Sequence, residues 1–211
     1  MRPLLALDLD GTLITVAQKQ TNLLRALARA RGLDLDPGPI WLLKRDGAST
    51  KSALVGTGVP MDLARALSRA WVAAVETPYW QSLDSLLPRV EECLTHLKSQ
   101  ADCVIISARQ NASFLHQQVR RLGLSDYVSA VYQVHPNCAS VAKAEILSQI
   151  GAVGFIGDTE SDAKAAELAN VPFAAVSTGQ RSEAFLRAAG IVEVHANLYT
   201  AINFLLHQRY S

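Results

Sequence analysis

The chain has 211 residues, of which 49% are hydrophobic, so it can bury a sizeable core as one domain or as a domain with an insert. Its 20 Lys and Arg residues nearly balance 19 Asp and Glu residues, which gives no strong electrostatic field to favour nucleic acid or an anionic membrane as a partner. With three cysteines, no apolar run long enough for a transmembrane helix and no signal-peptide pattern, we expect a cytoplasmic protein with reduced thiols.

The first predicted element is a short strand over Leu4–Leu7, which runs directly into the segment 8–13, Asp-Leu-Asp-Gly-Thr-Leu. Alternate side chains of a strand face the same side, so Asp8 and Asp10 can both face a ligand at its C-terminal end. Gly11 permits a tight turn whose backbone N–H groups can approach an anion closely. Such a pair suits attack of Asp8 on phosphorus and proton transfer by Asp10. Taken alone, the Asp-x-Asp pattern is equally typical of calcium loops and ordinary turns.

The chain between Leu13 and about Asp84 has few strand-like runs, and its apolar residues recur with helical spacing. Two sets share a helical face: Leu24, Leu27 and Ala30, and then Leu63, Leu67, Ala70, Trp71 and Ala74. This pattern predicts a helical insert. Within it, Lys44, Arg45 and Lys51 could reach an anionic part of a substrate, although such charges more often solvate a loop.

After the insert, short apolar runs alternate with helical patterns, which is typical of a parallel sheet covered by helices on both faces. The predicted strands are 103–107, 128–134, 153–157, 171–176 and 191–194. The predicted helices include 163–169, 182–189, 198–206, a stripe closed by Gly123, and one with Ser140 as its cap. Ligands of such open sheets bind at the carboxyl ends of the strands.

Residues that suit phosphate chemistry follow these strands in order. Ser107 ends a strand and could donate to a phosphate oxygen, and Lys143 in the next helix could neutralise charge on both carboxylate and phosphate. Asp158 and Asp162 follow the 153–157 strand, and carboxylates are hard ligands suited to Mg²⁺. Arg109 could bind phosphate or substrate, but a solvated arginine in a loop is an equal alternative.

With these residues in this order, the chain resembles the haloacid dehalogenase superfamily of phosphohydrolases, and in particular its phosphoglycolate phosphatase-like members with a helical cap. The four family motifs correspond to 8–13, the strand ending at Ser107, Lys143, and 157–162. The resemblance implies an α/β fold with a Rossmann-like core and a small all-helical cap inserted after the first strand. The core would comprise residues 1–15 and 84–211, and the cap residues 16–83.

The resemblance also implies a Mg²⁺-dependent hydrolysis of a small-molecule phosphomonoester through an aspartyl-phosphate intermediate. Asp8 would be the nucleophile, Asp10 the general acid/base, and Lys143 the third catalytic residue. Phosphate would be bound by Gly11, Thr12, Ser107, Ala108 and Lys143. Mg²⁺ would be held by Asp8, Asp10 through its backbone carbonyl, and Asp158, with Asp162 acting directly or through water. Arg109, Lys44, Arg45 and Lys51 remain the candidates for substrate binding.

Several alternatives stay open at this point. A phosphomutase keeps the same four motifs but returns the phosphoryl group to a sugar, and a binding or regulatory module could carry a vestigial site. A dehalogenase is disfavoured because it needs neither Asp10 nor Mg²⁺. Phosphoglycolate, a sugar phosphate and a nucleoside monophosphate are all compatible substrates. The expected partner is thus a small phosphate ester, not nucleic acid or a membrane, and the protein could be a monomer or a homodimer.

Overall fold

The computed structural model describes residues 2–208, and its centre is a six-stranded parallel sheet. The strands are β1 (Leu4–Leu7), β2 (Asp102–Ala108), β3 (Ala130–Val134), β4 (Gly154–Gly157), β5 (Phe173–Val176) and β6 (Val194–His195). Their order across the sheet is β3-β2-β1-β4-β5-β6. The chain therefore builds the sheet outward from β1 in both directions, and the change of direction opens a crevice at the carboxyl end of β1. The predicted α/β class is confirmed.

Helices cover both faces of the sheet and also form a separate group after β1. They are α1 (Ala17–Arg29), α2 (Pro37–Arg45), α3 (Thr50–Gly56), α4 (Met61–Ala74), α5 (Pro78–Gln81), α6 (Val90–Gln100), α7 (Ala112–Arg121), α8 (Ala139–Gln149), α9 (Glu160–Ala169), α10 (Glu183–Ala188) and α11 (Leu198–His207). Short 3₁₀ turns lie at Leu124–Asp126 and Pro136–Cys138. The sequential order of strands and helices is thus that of a doubly covered parallel sheet.

The two faces of β1 are buried in different cores, which explains why its sequence is apolar throughout. Leu5 and Leu7 pack with residues of α6, α7 and α11 on one face. Ala6 points to the other face, where it packs with Phe155 and residues of α8 and α9. A strand enclosed in this way is rigid, so the residues that follow it start from a fixed position.

Helices α1 to α5 form a helical insert, a name used here for residues 17–81, with a hydrophobic core of its own. Leu24, Ile40, Leu54 and Leu67 are buried in that core. The linkers that enter and leave the insert run side by side. The Thr15 N–H donates to the Ser85 carbonyl at 2.8 Å, and the Leu87 N–H donates to the Leu13 carbonyl at 2.9 Å.

Some predicted boundaries are wrong, and the causes are local. Ser140 does not cap α8, because the helix already begins at Ala139 and the Ser140 hydroxyl instead bonds that of Ser161 at 2.9 Å. Helix α9 begins at Glu160, three residues before the prediction, because Thr159 caps it. The edge strand β6 has two residues at Val194–His195, since the preceding Val192 is 76% exposed and not paired with the sheet.

Two further expectations concern the state of the cysteines and the presence of a transmembrane helix. Cys93 and Cys103 are buried and Cys138 is exposed, and all three are free thiols. Among residues 2–208, no helix combines the length and apolar character that crossing a membrane requires.

Candidate active site

The predicted site residues converge where the central strands end. Asp8 directly follows β1, and its N–H donates to the Ile156 carbonyl of β4 at 2.8 Å. Ser107 lies near the end of β2, the other neighbour of β1, and is buried. Asp158 directly follows β4. Because the strands are parallel and adjacent, three separate parts of the sequence meet at one edge of the sheet.

Lys143 of α8 bridges two buried carboxylates. Its Nζ lies 2.6 Å from Asp8 Oδ1 and 2.6 Å from Asp162 Oδ1, and the lysine side chain is 3% exposed. Burial raises the pKa of Asp8 to about 7, although the Lys143 charge acts in the opposite direction. Burial disfavours the charged form of Lys143, but Asp162 and Asp8 outweigh it and raise the lysine pKa. Lys143 therefore stays cationic beside the predicted nucleophile.

Asp158 provides a free ligand atom in a fully buried position. Its Oδ2 accepts a hydrogen bond from the Gln180 N–H at 2.5 Å, whereas its Oδ1 is buried and has no hydrogen-bond partner among residues 2–208. Burial and the negative charges of Asp8 and Asp162 raise the pKa of Asp158 well above its usual range. A buried carboxylate oxygen without a donor is costly unless a ligand or ion meets it.

The carboxylate oxygens of Asp8, Asp158 and Asp162 lie within 4.8 Å of one another, which fits a divalent cation with hard oxygen ligands. Asp162 differs from the other two because both of its oxygens already accept hydrogen bonds. Oδ1 accepts from Lys143, and Oδ2 accepts from the Thr159 hydroxyl at 2.6 Å and the Thr159 N–H at 3.2 Å. The bonding pattern thus suits Asp158 and Asp8 to direct contact with an ion, and Asp162 to a supporting position.

Two glycines allow two loops to close around Asp158. A Cβ atom added at Gly11, whose φ is +81°, or at Gly179 would overlap the Asp158 carboxylate. The Thr178 hydroxyl also donates to the Gly11 carbonyl at 2.7 Å and joins the two loops. Gly11 was predicted from the turn it makes, whereas Gly179 follows β5 and was missed. A Thr-Gly pair after a predicted strand is the signal that could have identified it.

Asp10 lies between two cations. Arg109 Nη2 is 2.6 Å from its Oδ2, and Lys19 Nζ is 3.6 Å from its Oδ1. Burial favours the neutral acid, but Arg109, Lys19 and Lys143 together lower the pKa of Asp10. Arg109 is 4% exposed, so it is not a solvated loop residue. Lys19 was not predicted as a site residue, because nothing in the sequence around it indicates that it is buried.

A cavity of about 550 Å³ lies between the helical insert and the core, with Asp10 and Arg109 in its wall. The insert contributes Gln20, Trp71 and Glu76 to the opposite wall. Glu76 also joins the two parts, since its carboxylate accepts the backbone N–H of Gln110 at 2.8 Å and that of Asn111 at 3.3 Å. Thr12, predicted to bind phosphate, is buried, and its hydroxyl has no hydrogen-bond partner in the described part of the chain.

Of the basic residues considered for substrate binding, Arg109 lines this cavity, whereas Lys44, Arg45 and Lys51 of the insert do not. Lys44 is buried, donates to Gln20 Oε1, and has its Nζ 4.1 Å from the Trp71 ring centroid. Burial and the Arg181 charge lower its pKa to about 7. Arg45 donates to the Ser177 and Arg181 carbonyls at 2.8 and 3.2 Å, and so joins the insert to the core. Lys51 is exposed on α3.

A family model described as haloacid dehalogenase-like hydrolase matches residues 3–170. No match was found among the curated proteins. The fold is similar to that of a haloacid dehalogenase-like family hydrolase from Streptococcus pneumoniae, with a TM-score of 0.76, 16% identity, and coverage of 96% of this chain and 98% of that one.

Two further solved structures have the same fold. One is described as a predicted phosphatase from Clostridium acetobutylicum, with a TM-score of 0.73, 17% identity, and coverage of 98% of this chain and 99% of that one. The other is described as a predicted phosphoglycolate phosphatase from Haemophilus somnus, with a TM-score of 0.70, 14% identity, and coverage of 96% and 97%. At these identities the likeness concerns the fold alone, over nearly the whole length of each chain.

Proposed function

Because the chain belongs to the haloacid dehalogenase-like hydrolase family, we propose that it is a Mg²⁺-dependent phosphatase that cleaves a small-molecule phosphomonoester through an aspartyl-phosphate on Asp8. The observation that carries this proposal is the arrangement around Asp8. A buried carboxylate at the end of the central strand is paired with Lys143, and it lies beside the unpartnered Oδ1 of Asp158.

The first half of the reaction would use Asp8 and Asp10. The Asp8 carboxylate attacks phosphorus, so that an Asp8 O–P bond forms as the ester O–P bond breaks. The cations beside Asp10 lower its pKa and favour its ionised form, so the proton for the leaving oxygen would come from the minor protonated form of Asp10. Lys143 reduces the repulsion between the carboxylate and the phosphate, and Ser107, the Thr12 hydroxyl and the Ala108 N–H would bind the phosphate oxygens. The N–H groups of Gly11 and Thr12, also predicted to bind phosphate, already donate to the Ile14 and Leu9 carbonyls, so Gly11 would contribute through the turn it makes.

The second half would regenerate Asp8. Asp10 removes a proton from a water molecule as that water attacks phosphorus, the Asp8 O–P bond breaks, and inorganic phosphate leaves. Asp8, Asp158 and the backbone carbonyl of Asp10 would hold Mg²⁺, with Asp162 in support, and the bound ion would supply positive charge that favours the approach of two anions.

We also propose that residues 16–83 act as a cap on a core of residues 1–15 and 84–211. The contacts of Glu76 and Arg45 with the core support this, since both close the insert over the end of the sheet that carries Asp8. A closed cap excludes bulk water from the cavity and limits the size of the substrate.

The test is phosphate release from a panel of phosphorylated metabolites, comparing the wild type with Asp8→Asn. We expect the wild type to release phosphate with Mg²⁺ and not with EDTA, and Asp8→Asn to keep its fold and lose turnover. Asp126→Asn is the matched control, because its side chain is exposed in the turn Leu124–Asp126. Normal rates for Asp8→Asn would refute the mechanism, and an isomeric sugar phosphate as the product would indicate a mutase.

A further inference from the structure

Five side chains form a closed circuit of contacts through Asp10, which we call the Asp10 ring: Asp10, Lys19, Asp84, Gln118 and Arg109. Arg109 Nη2 contacts Asp10 Oδ2 at 2.6 Å and donates to Gln118 Oε1 at 2.9 Å. Gln118 Nε2 donates to Asp84 Oδ2 at 2.7 Å, and Lys19 Nζ donates to the same oxygen at 2.5 Å. Lys19 Nζ closes the circuit 3.6 Å from Asp10 Oδ1.

The ring lies inside the protein. Lys19, Asp84 and Gln118 are each 2% exposed. Removing one partner of such a buried charge leaves the other uncompensated, so each member constrains its neighbours. Gln118 has a defined orientation, because its oxygen must face the Arg109 donor and its amide nitrogen must face the Asp84 carboxylate. The two cations on Asp10 are therefore themselves held in place by Asp84 and Gln118.

The members of the ring come from both parts of the molecule. Asp10 and Arg109 follow the core strands β1 and β2, and Gln118 lies on α7. Lys19 lies in the first turn of α1 in the helical insert, and Asp84 lies in the linker that leads back to the core. The circuit therefore closes only when the insert is seated on the core as it is here.

From this geometry we propose that Asp84 and Gln118 are positioning residues for Asp10, which hold its carboxylate in place as the base of the second half-reaction. The inference rests on the proposed function, in which Asp10 takes the proton of the water that cleaves the aspartyl-phosphate. Proton transfer needs heavy-atom contacts of about 2.6–3.2 Å in a defined direction. Lys19 and Arg109 provide that direction because Asp84 and Gln118 keep their charged groups on the two Asp10 oxygens.

The experiment uses p-nitrophenyl phosphate, whose leaving group departs without a proton. With this substrate, a loss of general-base catalysis by Asp10 slows only the hydrolysis of the aspartyl-phosphate and not its formation. The variants are Gln118→Met, which keeps an unbranched side chain, and Asp84→Asn, which keeps the shape of the carboxylate. We expect kcat to fall roughly tenfold or more from the misplacement of a catalytic group. We expect KM to fall in the same proportion, because formation of the aspartyl-phosphate is unaffected. The ratio kcat/KM should therefore stay within about twofold of the wild-type value.

A burst of p-nitrophenol should precede the slow turnover in stopped-flow traces, because phosphorylated enzyme accumulates. The matched control is Gln117→Met, whose side chain is exposed on the same helix and donates a hydrogen bond to the Ser113 hydroxyl at 3.4 Å, and it should match the wild type. Combining Gln118→Met with Asp10→Asn should add no loss beyond that of Asp10→Asn, since both act on one step. Thermal unfolding shows which variants are folded.

The proposal is overturned if folded variants of both positions keep the wild-type kcat, or if kcat and kcat/KM fall together without a burst. Additive losses in the double variant would also overturn it. The same assay gives different results if the proposed function itself is wrong. Asp8→Asn would then retain turnover, or Asp10→Asn would show neither a rate loss nor a burst.

Discussion

The metal-free protein should lose stability as the pH rises towards neutrality, and the origin of this effect is Asp8. Burial raises the pKa of Asp8 from 3.8 to about 7 in the folded state. Between these values the folded protein keeps a proton that the unfolded chain releases, so the free energy of unfolding falls with increasing pH. At about 1.4 kcal/mol per pH unit, the whole interval corresponds to about 4 kcal/mol.

The ionisable groups near Asp8 do not reverse this fall in the free energy of unfolding with increasing pH. The pKa of Asp158 is also raised by burial, so its ionisation acts in the same direction. The pKa of Asp10 is lowered from 3.8 by its cations against the effect of burial, so its titration lies below this interval. Lys143 keeps its charge throughout, because Asp162 and Asp8 raise its pKa against burial. Burial lowers the pKa of His195, which acts in the opposite direction, so the contribution of Asp8 is measured as the difference in slope between the wild type and a variant without the Asp8 carboxyl group.

The assay is urea unfolding of EDTA-treated protein at several pH values from 5 to 8, for the wild type and Asp8→Asn. The wild type should lose roughly 2–3 kcal/mol relative to the variant between pH 5 and pH 7. Saturating Mg²⁺ should stabilise the wild type more at pH 8 than at pH 5, because carboxylate ligands must release their protons to bind it. Equal slopes for the two proteins, or a wild-type stability that rises with pH relative to that of Asp8→Asn, would refute the reasoning.

Two further substitutions test how the site is enclosed. Glu76→Ala removes the acceptor of the Gln110 and Asn111 N–H groups. A hydrogen bond to a charged group contributes about 1.5–3 kcal/mol, and solvent screening reduces this value here. Steady-state kinetics should therefore show a KM raised about fivefold or more. An unchanged KM would mean that this contact does not contribute to closure. Gly179→Ala places a Cβ atom against the Asp158 carboxylate, and Mg²⁺ titration should show an affinity reduced roughly tenfold. Gly38→Ala is the matched control, since its Cβ would lie 3.3 Å from Asp36 on the surface, and equal affinities in the two variants would contradict the prediction.

The elements that carry the motifs could be predicted from the sequence because the relevant patterns are local. Asp8 and Asp158 each come directly after a short apolar run, and the carboxyl ends of adjacent parallel strands necessarily meet. Lys143 could be placed on a helix by the periodicity around it. Its 2.6 Å contact with Asp8, 135 residues away, follows from the family resemblance and the fold, and not from any local pattern.

The supporting residues could not be predicted, because what defines them is a distant partner. Lys19 looks like a surface position near the start of an amphipathic helix, and its burial depends on Asp84, 65 residues later. Gln118 is a polar residue on α7 whose role depends on Arg109 and Asp84. Arg45 was a candidate for substrate binding, with solvation of a loop as the commoner alternative, yet it donates to the backbone carbonyls of Ser177 and Arg181. Charge and exposure at such positions are decided by tertiary packing.

The paired linkers have a consequence for how this fold can change over evolution. Backbone hydrogen bonds join Thr15 to Ser85 and Leu87 to Leu13, so the chain leaves the core and returns to it at the same place. The core therefore has no need of an insert of any particular length, because each doubling of a loop costs only about 0.6 kcal/mol in closure entropy. An entire recognition module can be exchanged at this point while the strands that carry Asp8 and Asp158 stay where they are. New substrate preferences can thus arise by replacement of one contiguous segment, with the chemistry inherited unchanged.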